Sequence, residues 1–204
     1  MLSGGTGNDK LYGNMGSDVL FGGPGHDLLY GGYGQSGETT QLYGGDGDDE
    51  IVASYYGANE IFGGNGDDMI LGGILDFADP TPNDATNGDG GLGYMPLLPR
   101  KSIMPLGPGM ERATYGSYGE LDIDGGAGND FIVGGVFDDD IYGGEGDDVI
   151  YGEQPLNTAY TVTNSGYGDD QIYGGKGDDI IFGVSMVDEM LLEGGEGNDK
   201  IYPG

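Results

Sequence analysis

Eight aspartates occupy the last place of a repeated six-residue pattern, Gly-Gly-x-Gly-(Asn/His/Asp)-Asp. Glycines let the backbone fold into tight turns in which carbonyl oxygens converge. A carboxylate among such carbonyls suits Ca²⁺ better than Mg²⁺, because Mg²⁺ demands near-octahedral geometry and gives up its waters reluctantly. The pattern therefore indicates metal binding, and its copies begin at Gly4, Gly22, Gly44, Gly63, Gly125, Gly143, Gly174 and Gly194.

Each copy belongs to a longer unit of nine residues whose eighth position is Leu or Ile. A fixed period of this kind indicates a solenoid. Each unit predicts one tight turn and one short strand, with the eighth residue pointing inward and its two neighbours outward. Seven less regular units alternate with the eight perfect ones. The eighth positions of all fifteen are Leu11, Leu20, Leu29, Leu42, Ile51, Ile61, Ile70, Ile123, Ile132, Ile141, Ile150, Ile172, Ile181, Leu192 and Ile201.

The predicted fold class is all-β: a right-handed parallel β-roll, or β-solenoid, with two units per coil and about 7.5 coils. Two units per coil place the eight perfect turns on one edge of the roll and the irregular turns on the other. We expect residues 1–204 to form a single calcium-binding roll. The irregular edge carries a Pro-rich insertion at 74–118, with basic and apolar residues, and a smaller insertion at 153–164.

The composition excludes several classes of function. The chain has 36 acidic and six basic residues, for a formal net charge of −30. Such a surface repels nucleic acid and anionic membranes, and a compact monomer of this charge needs counterions. The absence of cysteine excludes disulfides and thiolate metal sites, and the single histidine, His26, argues against zinc. There is no apolar run of membrane-spanning length and no signal-peptide pattern.

The nonapeptide resembles that of the repeats-in-toxin (RTX) family of hemolysin-type proteins, which binds calcium in a parallel β-roll. The resemblance covers nearly all of the chain except 74–118 and 153–164. It implies calcium between turns stacked two units apart, held by backbone carbonyls and sixth-position carboxylates. On the regular edge, which has about seven gaps between turns, these carboxylates are Asp9, Asp27, Asp49, Asp68, Asp130, Asp148, Asp179 and Asp199.

The irregular edge keeps fewer of the implied ligands. Asp18, Asp139 and Asp170 retain the sixth position, and Asp139 and Asp170 fall on successive turns, so one or two further ions could bind there. Asn59 could substitute through its amide oxygen. We expect the fifth-position residues to form turns rather than to bind metal: they are Asn8, His26, Asp48, Asp67, Asn129, Asp147, Asp178 and Asn198.

Calcium binding and folding are expected to be one event. Aspartates on adjacent coils, about 5 Å apart, repel one another when no metal is present. Short strands with small hydrophobic residues bury too little surface to compensate for that repulsion and for the entropy of ordering the chain. The metal therefore has to supply the missing stabilisation.

Aromatic residues form a third regular feature, because ten of the 21 occupy the outward ninth position. The favoured interpretation is that stacked aromatics suit exposed strands. The alternative is a ladder that binds carbohydrate or ice. The ten are Tyr12, Phe21, Tyr30, Tyr43, Phe62, Tyr142, Tyr151, Tyr173, Phe182 and Tyr202.

The insertion at 74–118 holds three of the six basic residues and an apolar run, on an otherwise strongly acidic chain. It either packs back on the roll or docks a partner protein. For the second role the candidate contact residues are Arg100, Lys101, Arg112, Met95, Leu97 and Leu98.

No catalytic constellation is visible, since the single histidine lacks a pocket for a triad and calcium accounts for the carboxylate spacing. The sequence thus predicts a non-enzymatic, calcium-dependent structural and interaction module with a protein partner or a larger assembly. The alternatives are the calcium-binding region of a larger secreted toxin, protease or adhesin, and a carbohydrate- or ice-binding roll. The resemblance favours an extracellular or cell-surface location. The missing C-terminal export signal and the uncapped roll ends suggest a piece of a longer protein or a subunit whose ends are covered by other chains. The missing signals leave an intracellular or organellar assembly as the alternative location.

Overall fold

The protein is built from two long parallel sheets and one short hairpin. The computed structural model describes residues 1–34, 37–54, 56–77, 112–116, 120–135, 138–152, 169–183 and 190–203. All regular structure in these ranges is β-strand. Each long sheet has eight strands, and strands that follow one another along the chain alternate between the two sheets. The predicted all-β parallel roll, with two units in each coil, is therefore confirmed.

The first sheet contains the strands that run into the perfect turns. In spatial order they are β1 (Leu2–Ser3), β3 (Val19–Pro24), β5 (Thr39–Asp46), β7 (Ala58–Asn65), β11 (Leu121–Ala127), β13 (Asp139–Glu145), β15 (Gln171–Lys176) and β17 (Leu191–Glu196). Strand β1 was not predicted, because it lies before the first repeat unit. Leu2 nevertheless pairs in register with Leu20.

The second sheet contains the strands that leave the perfect turns. They are β2 (Lys10–Tyr12), β4 (Leu28–Gly32), β6 (Glu50–Ser54), β8 (Met69–Leu71), β12 (Phe131–Val133), β14 (Val149–Tyr151), β16 (Ile180–Phe182) and β18 (Lys200–Tyr202). The insertion does not interrupt the roll, because β8 pairs directly with β12 and β7 with β11.

The core is the column of eighth-position residues between the sheets. Thirteen of the fifteen are buried, from Leu11 to Ile181. Leu192 packs against the same core but is partly buried, and Ile201 is exposed. Both belong to strands at the edge of their sheets, so that each has a neighbouring strand on one side only.

A second hydrophobic cluster lies on the outward side of the second sheet, where the alternation of side chains predicts outward-facing residues. Tyr30, Val52, Leu71 and Val133 occupy ninth positions and are nevertheless buried. Strand β9 (Gly73–Phe77) lies next to β6. On this sheet, therefore, a side chain that points away from the core can still be buried.

The ends of the large insertion form an antiparallel hairpin. Strand β9 pairs with β10 (Arg112–Gly116), with Phe77 opposite Arg112 and Gly73 opposite Gly116. Five of the six predicted partner contacts, Met95, Leu97, Leu98, Arg100 and Lys101, lie outside the described residues, as does the insertion at 153–164. In the part of the chain that the structure describes, no helix is long and apolar enough to cross a membrane.

Candidate metal centre

The perfect turns stack directly on one another along one edge of the roll. In each turn the second and fourth positions are glycines with positive φ, for example 120° at Gly144 and 135° at Gly146. A Cβ on Gly144 would collide with the carbonyl oxygen of Gly126 in the neighbouring turn, and a Cβ on Gly146 with that of Gly128. Glycine is therefore required both by the backbone conformation and by the close approach of adjacent turns.

This stacking places the eight predicted aspartates in one column. In each pair of neighbouring turns, the backbone N–H of one aspartate donates to Oδ1 of the next, at 2.7 Å from Asp9 to Asp27 and 3.1 Å from Asp179 to Asp199. Seven such bonds run without a break from the first turn to the eighth. The bond from Asp68 to Asp130, at 2.8 Å, spans the large insertion.

The second oxygen of each carboxylate is buried in the gap between turns. Oδ2 has no hydrogen-bond partner among the described residues in seven of the eight aspartates: Asp9, Asp27, Asp49, Asp68, Asp130, Asp148 and Asp179. A buried carboxylate oxygen without a partner is costly, since it has lost water and gained nothing in return. A positive charge at this edge of the roll would therefore stabilise each of these oxygens.

A carbonyl oxygen of the next turn lies close to the buried Oδ2 in six of these seven aspartates, from Asp27 to Asp179. A Cβ added to Gly44 would be 2.5 Å from Oδ2 of Asp49 and 2.5 Å from the carbonyl oxygen of Gly63 in the next turn. The same pair of contacts recurs at Gly125, with Asp130 and Gly143, again at 2.5 Å each. The two oxygens of each pair therefore lie no more than about 5 Å apart, which allows one hard cation, bound at about 2.3–2.6 Å from each, to contact both.

The arrangement uses one carboxylate per turn rather than a cluster of side chains. Among the described residues, no group of three or more His, Cys, Asp or Glu side chains could hold a metal ion. A cation between two turns would take its remaining ligands from backbone carbonyls, which the glycines leave uncovered. This donor set fits Ca²⁺.

The electrostatics of the column agree with a cation site. Burial, together with repulsion from neighbouring aspartates, raises the pKa of Asp68 to about 8 and that of Asp148 to about 7. Burial also raises the pKa of Asp49 and of Asp130 to about 6. The hydrogen bond that each Oδ1 accepts lowers these values but does not offset burial. Without a counterion, the fold therefore disfavours the ionised form that a cation needs.

The fifth-position residues form a separate, solvent-exposed ladder. The backbone N–H of Asn129 donates to Oδ1 of Asp67 at 2.9 Å, and that of Asp147 donates to Oδ1 of Asn129 at 2.8 Å. His26 takes part through Nδ1, which accepts from the N–H of Asp48 at 3.0 Å. Asn, Asp and His are interchangeable here because each offers one acceptor, which agrees with their predicted role in the turns.

The irregular edge holds two of its three predicted aspartates together. The backbone N–H of Asp139 donates to Oδ1 of Asp170 at 3.1 Å, the same link as on the regular edge. Oδ2 of Asp139 accepts from the N–H of Gly135 at 2.6 Å. Asp18 lies apart from this pair, and its Oδ2 is buried without a partner among the described residues.

Between Asp18 and Asp139 the sixth position has lost its carboxylate. The strand register aligns Thr40 with Asn59, Asn59 with Leu121, and Leu121 with Asp139. Leu121 is buried and belongs to the hydrophobic core. A Cβ on Gly135 would lie 3.4 Å from Cδ1 of Leu121, so an apolar side chain fills the space beside this turn. The signal was present in the sequence, since Leu121 stands two residues before the core residue Ile123.

Asn59 does not offer its amide oxygen to a cation, contrary to the possibility raised by its position. Oδ1 accepts from both the backbone N–H and the hydroxyl of Ser54, at 2.8 Å each. Nδ2 donates to the carbonyl of Gly57 at 3.3 Å. A carbonyl oxygen has two lone pairs, so these bonds use its capacity. Asn59 closes this turn by hydrogen bonds alone.

The family model for the RTX calcium-binding nonapeptide repeat (4 copies) matches residues 1–35, 43–74, 124–154, 164–184 and 191–204, well over half of the chain. No curated protein matches the chain. The matched ranges include all eight aspartates of the regular edge.

Proposed function

The chain belongs to the RTX calcium-binding nonapeptide repeat family, and on that premise we propose that it is a structural module which folds when Ca²⁺ fills the gaps between its perfect turns. The observation that carries this proposal is the repeated convergence of a buried, unpartnered Oδ2 with a carbonyl oxygen of the next turn. The role is structural rather than catalytic. The calcium supplies positive charge where the fold itself supplies none.

The number of ions follows from the number of gaps. Eight stacked turns enclose seven gaps, each marked by one bond between successive aspartates. The irregular edge adds one site at the Asp139–Asp170 pair and at most one at Asp18. Seven divalent ions would offset 14 of the 30 net negative charges.

Folding and metal binding are coupled because the same carboxylate groups serve both. The Oδ1 atoms tie neighbouring turns together only when the roll has formed, and the buried Oδ2 atoms oppose that state unless a cation is present. A site assembled from residues of separate coils does not exist in the unfolded chain, so binding free energy becomes folding free energy.

Native mass spectrometry of the calcium-saturated protein tests the site count. We expect seven ions, with one or two more, and fewer than seven if the perfect turns are not the sites. Asp139→Asn and Asp138→Asn provide a matched pair on the irregular edge. The first is expected to remove one ion, whereas the second removes the same charge at an exposed fifth position and should leave the count unchanged.

We propose that the segment between β9 and β10 contacts a protein partner in a calcium-rich extracellular or cell-surface setting, because it brings basic and apolar residues to a chain of net charge −30. The hairpin ends at Phe77 and Arg112 allow a sharp test. Replacing residues 78–111 by a two-residue turn should keep calcium-dependent folding and abolish assembly with the partner; continued assembly would refute the role of the segment.

A further inference from the structure

The outward face of the first sheet carries two runs of stacked aromatic rings with a gap between them. Tyr43 and Phe62 stack with ring centroids 5.0 Å apart and planes 3° apart, and Tyr142 and Tyr173 stack at 4.9 Å and 7°. Asp124 separates the two runs, because it pairs in register with Phe62 on one side and Tyr142 on the other. One face of each flanking ring is therefore turned toward the gap.

The width of this gap suits a planar cation. Adjacent strands lie about 4.8 Å apart, so the rings of Phe62 and Tyr142 stand roughly 9.6 Å apart, and a group midway lies about 4.8 Å from each. Cations bind favourably within about 6 Å of a ring centroid. Asp124 is exposed at the base of the gap, and Tyr142 is 44% exposed.

The row beside the gap is acidic. Glu60, Asp122 and Asp140 occupy successive strands of this face, in register with one another. Burial raises the pKa of Asp122, and repulsion from Asp140, Glu60 and Asp124 adds to this shift. Gln41 donates to Glu60 at 2.6 Å, and no basic residue occupies an outward seventh or ninth position of the described strands of this sheet.

We propose that the gap between Phe62 and Tyr142 over Asp124 is a docking slot for an arginine of a partner polypeptide. The guanidinium is planar, stacks on aromatic faces and pairs with carboxylates, which matches the three features of the slot. The adjacent row of carboxylates accommodates further basic residues, which favours a segment with several arginines over a single small cation. The surface is distinct from the calcium edge, because outward seventh and ninth positions take no part in the turns.

Filling the slot with a ring is the direct test. Asp124→Tyr extends the aromatic run that neighbouring strands already carry, and it should weaken binding of a capped, labelled peptide of alternating glycine and arginine by about tenfold. The measurement is fluorescence anisotropy in saturating calcium. Glu193→Tyr is the matched control, since Glu193 occupies the ninth position of β17 and pairs with Tyr173 on one side only. We expect it to change affinity by no more than about twofold.

A second variant separates stacking from charge. Phe62→Leu keeps every carboxylate and removes one ring, and binding should weaken by about threefold or more. Circular dichroism in calcium checks that each variant is folded. The proposal is overturned if Asp124→Tyr and Glu193→Tyr weaken binding equally, since the peptide would then respond only to net charge. Absence of binding to the unaltered protein would overturn it as well.

Discussion

Replacing Asp148 by Asn should have opposite effects in the presence and absence of calcium. Oδ1 of Asp148 accepts from the N–H of Asp130 at 2.9 Å, and an amide oxygen can keep that bond. Oδ2 is buried without a partner among the described residues, near the carbonyl of Gly174. In Asp148→Asn an NH₂ group takes its place. That group can donate to a carbonyl but cannot bind a cation.

The magnitude follows from the loss of one site. Extracellular calcium modules bind with Kd of about 10⁻⁴–10⁻³ M. At free calcium of about 100 times Kd, one occupied site stabilises the folded state by about 2.7 kcal/mol. For a chain of this size that corresponds to a fall in Tm of roughly 5–11 °C. Without calcium the sign reverses, because at pH 8 the substitution removes a buried carboxylate whose pKa is raised to about 7.

The neighbouring residue supplies the control. Asp147 belongs to the exposed fifth-position ladder, where Asn129 already makes the equivalent bond. Asp147→Asn removes the same charge at an exposed position outside the gaps, so its Tm in calcium should stay within about 2 °C. In the metal-free state, circular dichroism should show more β-structure in Asp148→Asn and no change in Asp147→Asn. Calorimetry in calcium, circular dichroism without it and native mass spectrometry together give the result. Equal losses of calcium-dependent stability in Asp148→Asn and Asp147→Asn would refute the assignment of Asp148 as a ligand.

Three further outcomes are expected. The metal-free protein should show more β-structure by circular dichroism at pH 4 than at pH 8. The pKa of Asp68 is about 8 in the folded state and 3.8 ordinarily, so protonation of Asp68 stabilises the folded state at low pH, and this stabilisation is lost as pH rises from about 4 to 8. Calcium affinity should rise over the same pH range. Leu121→Ala should lower the free energy of unfolding by about 2–5 kcal/mol without changing the ion count, measured by denaturant titration and mass spectrometry. Gly144→Ala should prevent folding even in saturating calcium. Gly5→Ala, with nothing within 4 Å of the added Cβ, should cost only about 1–2 kcal/mol of backbone strain. If circular dichroism shows both variants equally folded, the close stacking of turns does not require glycine.

The regular parts of the roll were predictable because each depends on local spacing. The Leu or Ile at the eighth position of each unit, such as Ile61 or Ile123, identifies the residue that enters the core. The glycine pattern identifies the turns that stack on one another. The column of sixth-position aspartates then follows from counting two units per coil. All three features depend on the nine-residue period, which can be read from the sequence alone.

The remaining features depend on contacts that no period describes. The burial of Val52 and Leu71 accompanies the approach of β9 to β6. The β9–β10 pairing joins segments on either side of a 34-residue stretch, 78–111, that lacks the repeat. The use of Asn59 to close its own turn depends on Ser54, five residues earlier, which the repeat pattern does not include.

Titration of Ca²⁺ into the metal-stripped protein, followed by circular dichroism with Mg²⁺ as control, shows whether calcium binding and folding are one event. We expect a cooperative transition from coil to sheet as about seven ions bind, with no response to Mg²⁺ at the same concentrations. A sheet spectrum already complete in the metal-free protein, and unchanged by calcium, would contradict this expectation. The buried aspartates would then be tolerated by packing alone, and the gaps between turns would have no part in folding.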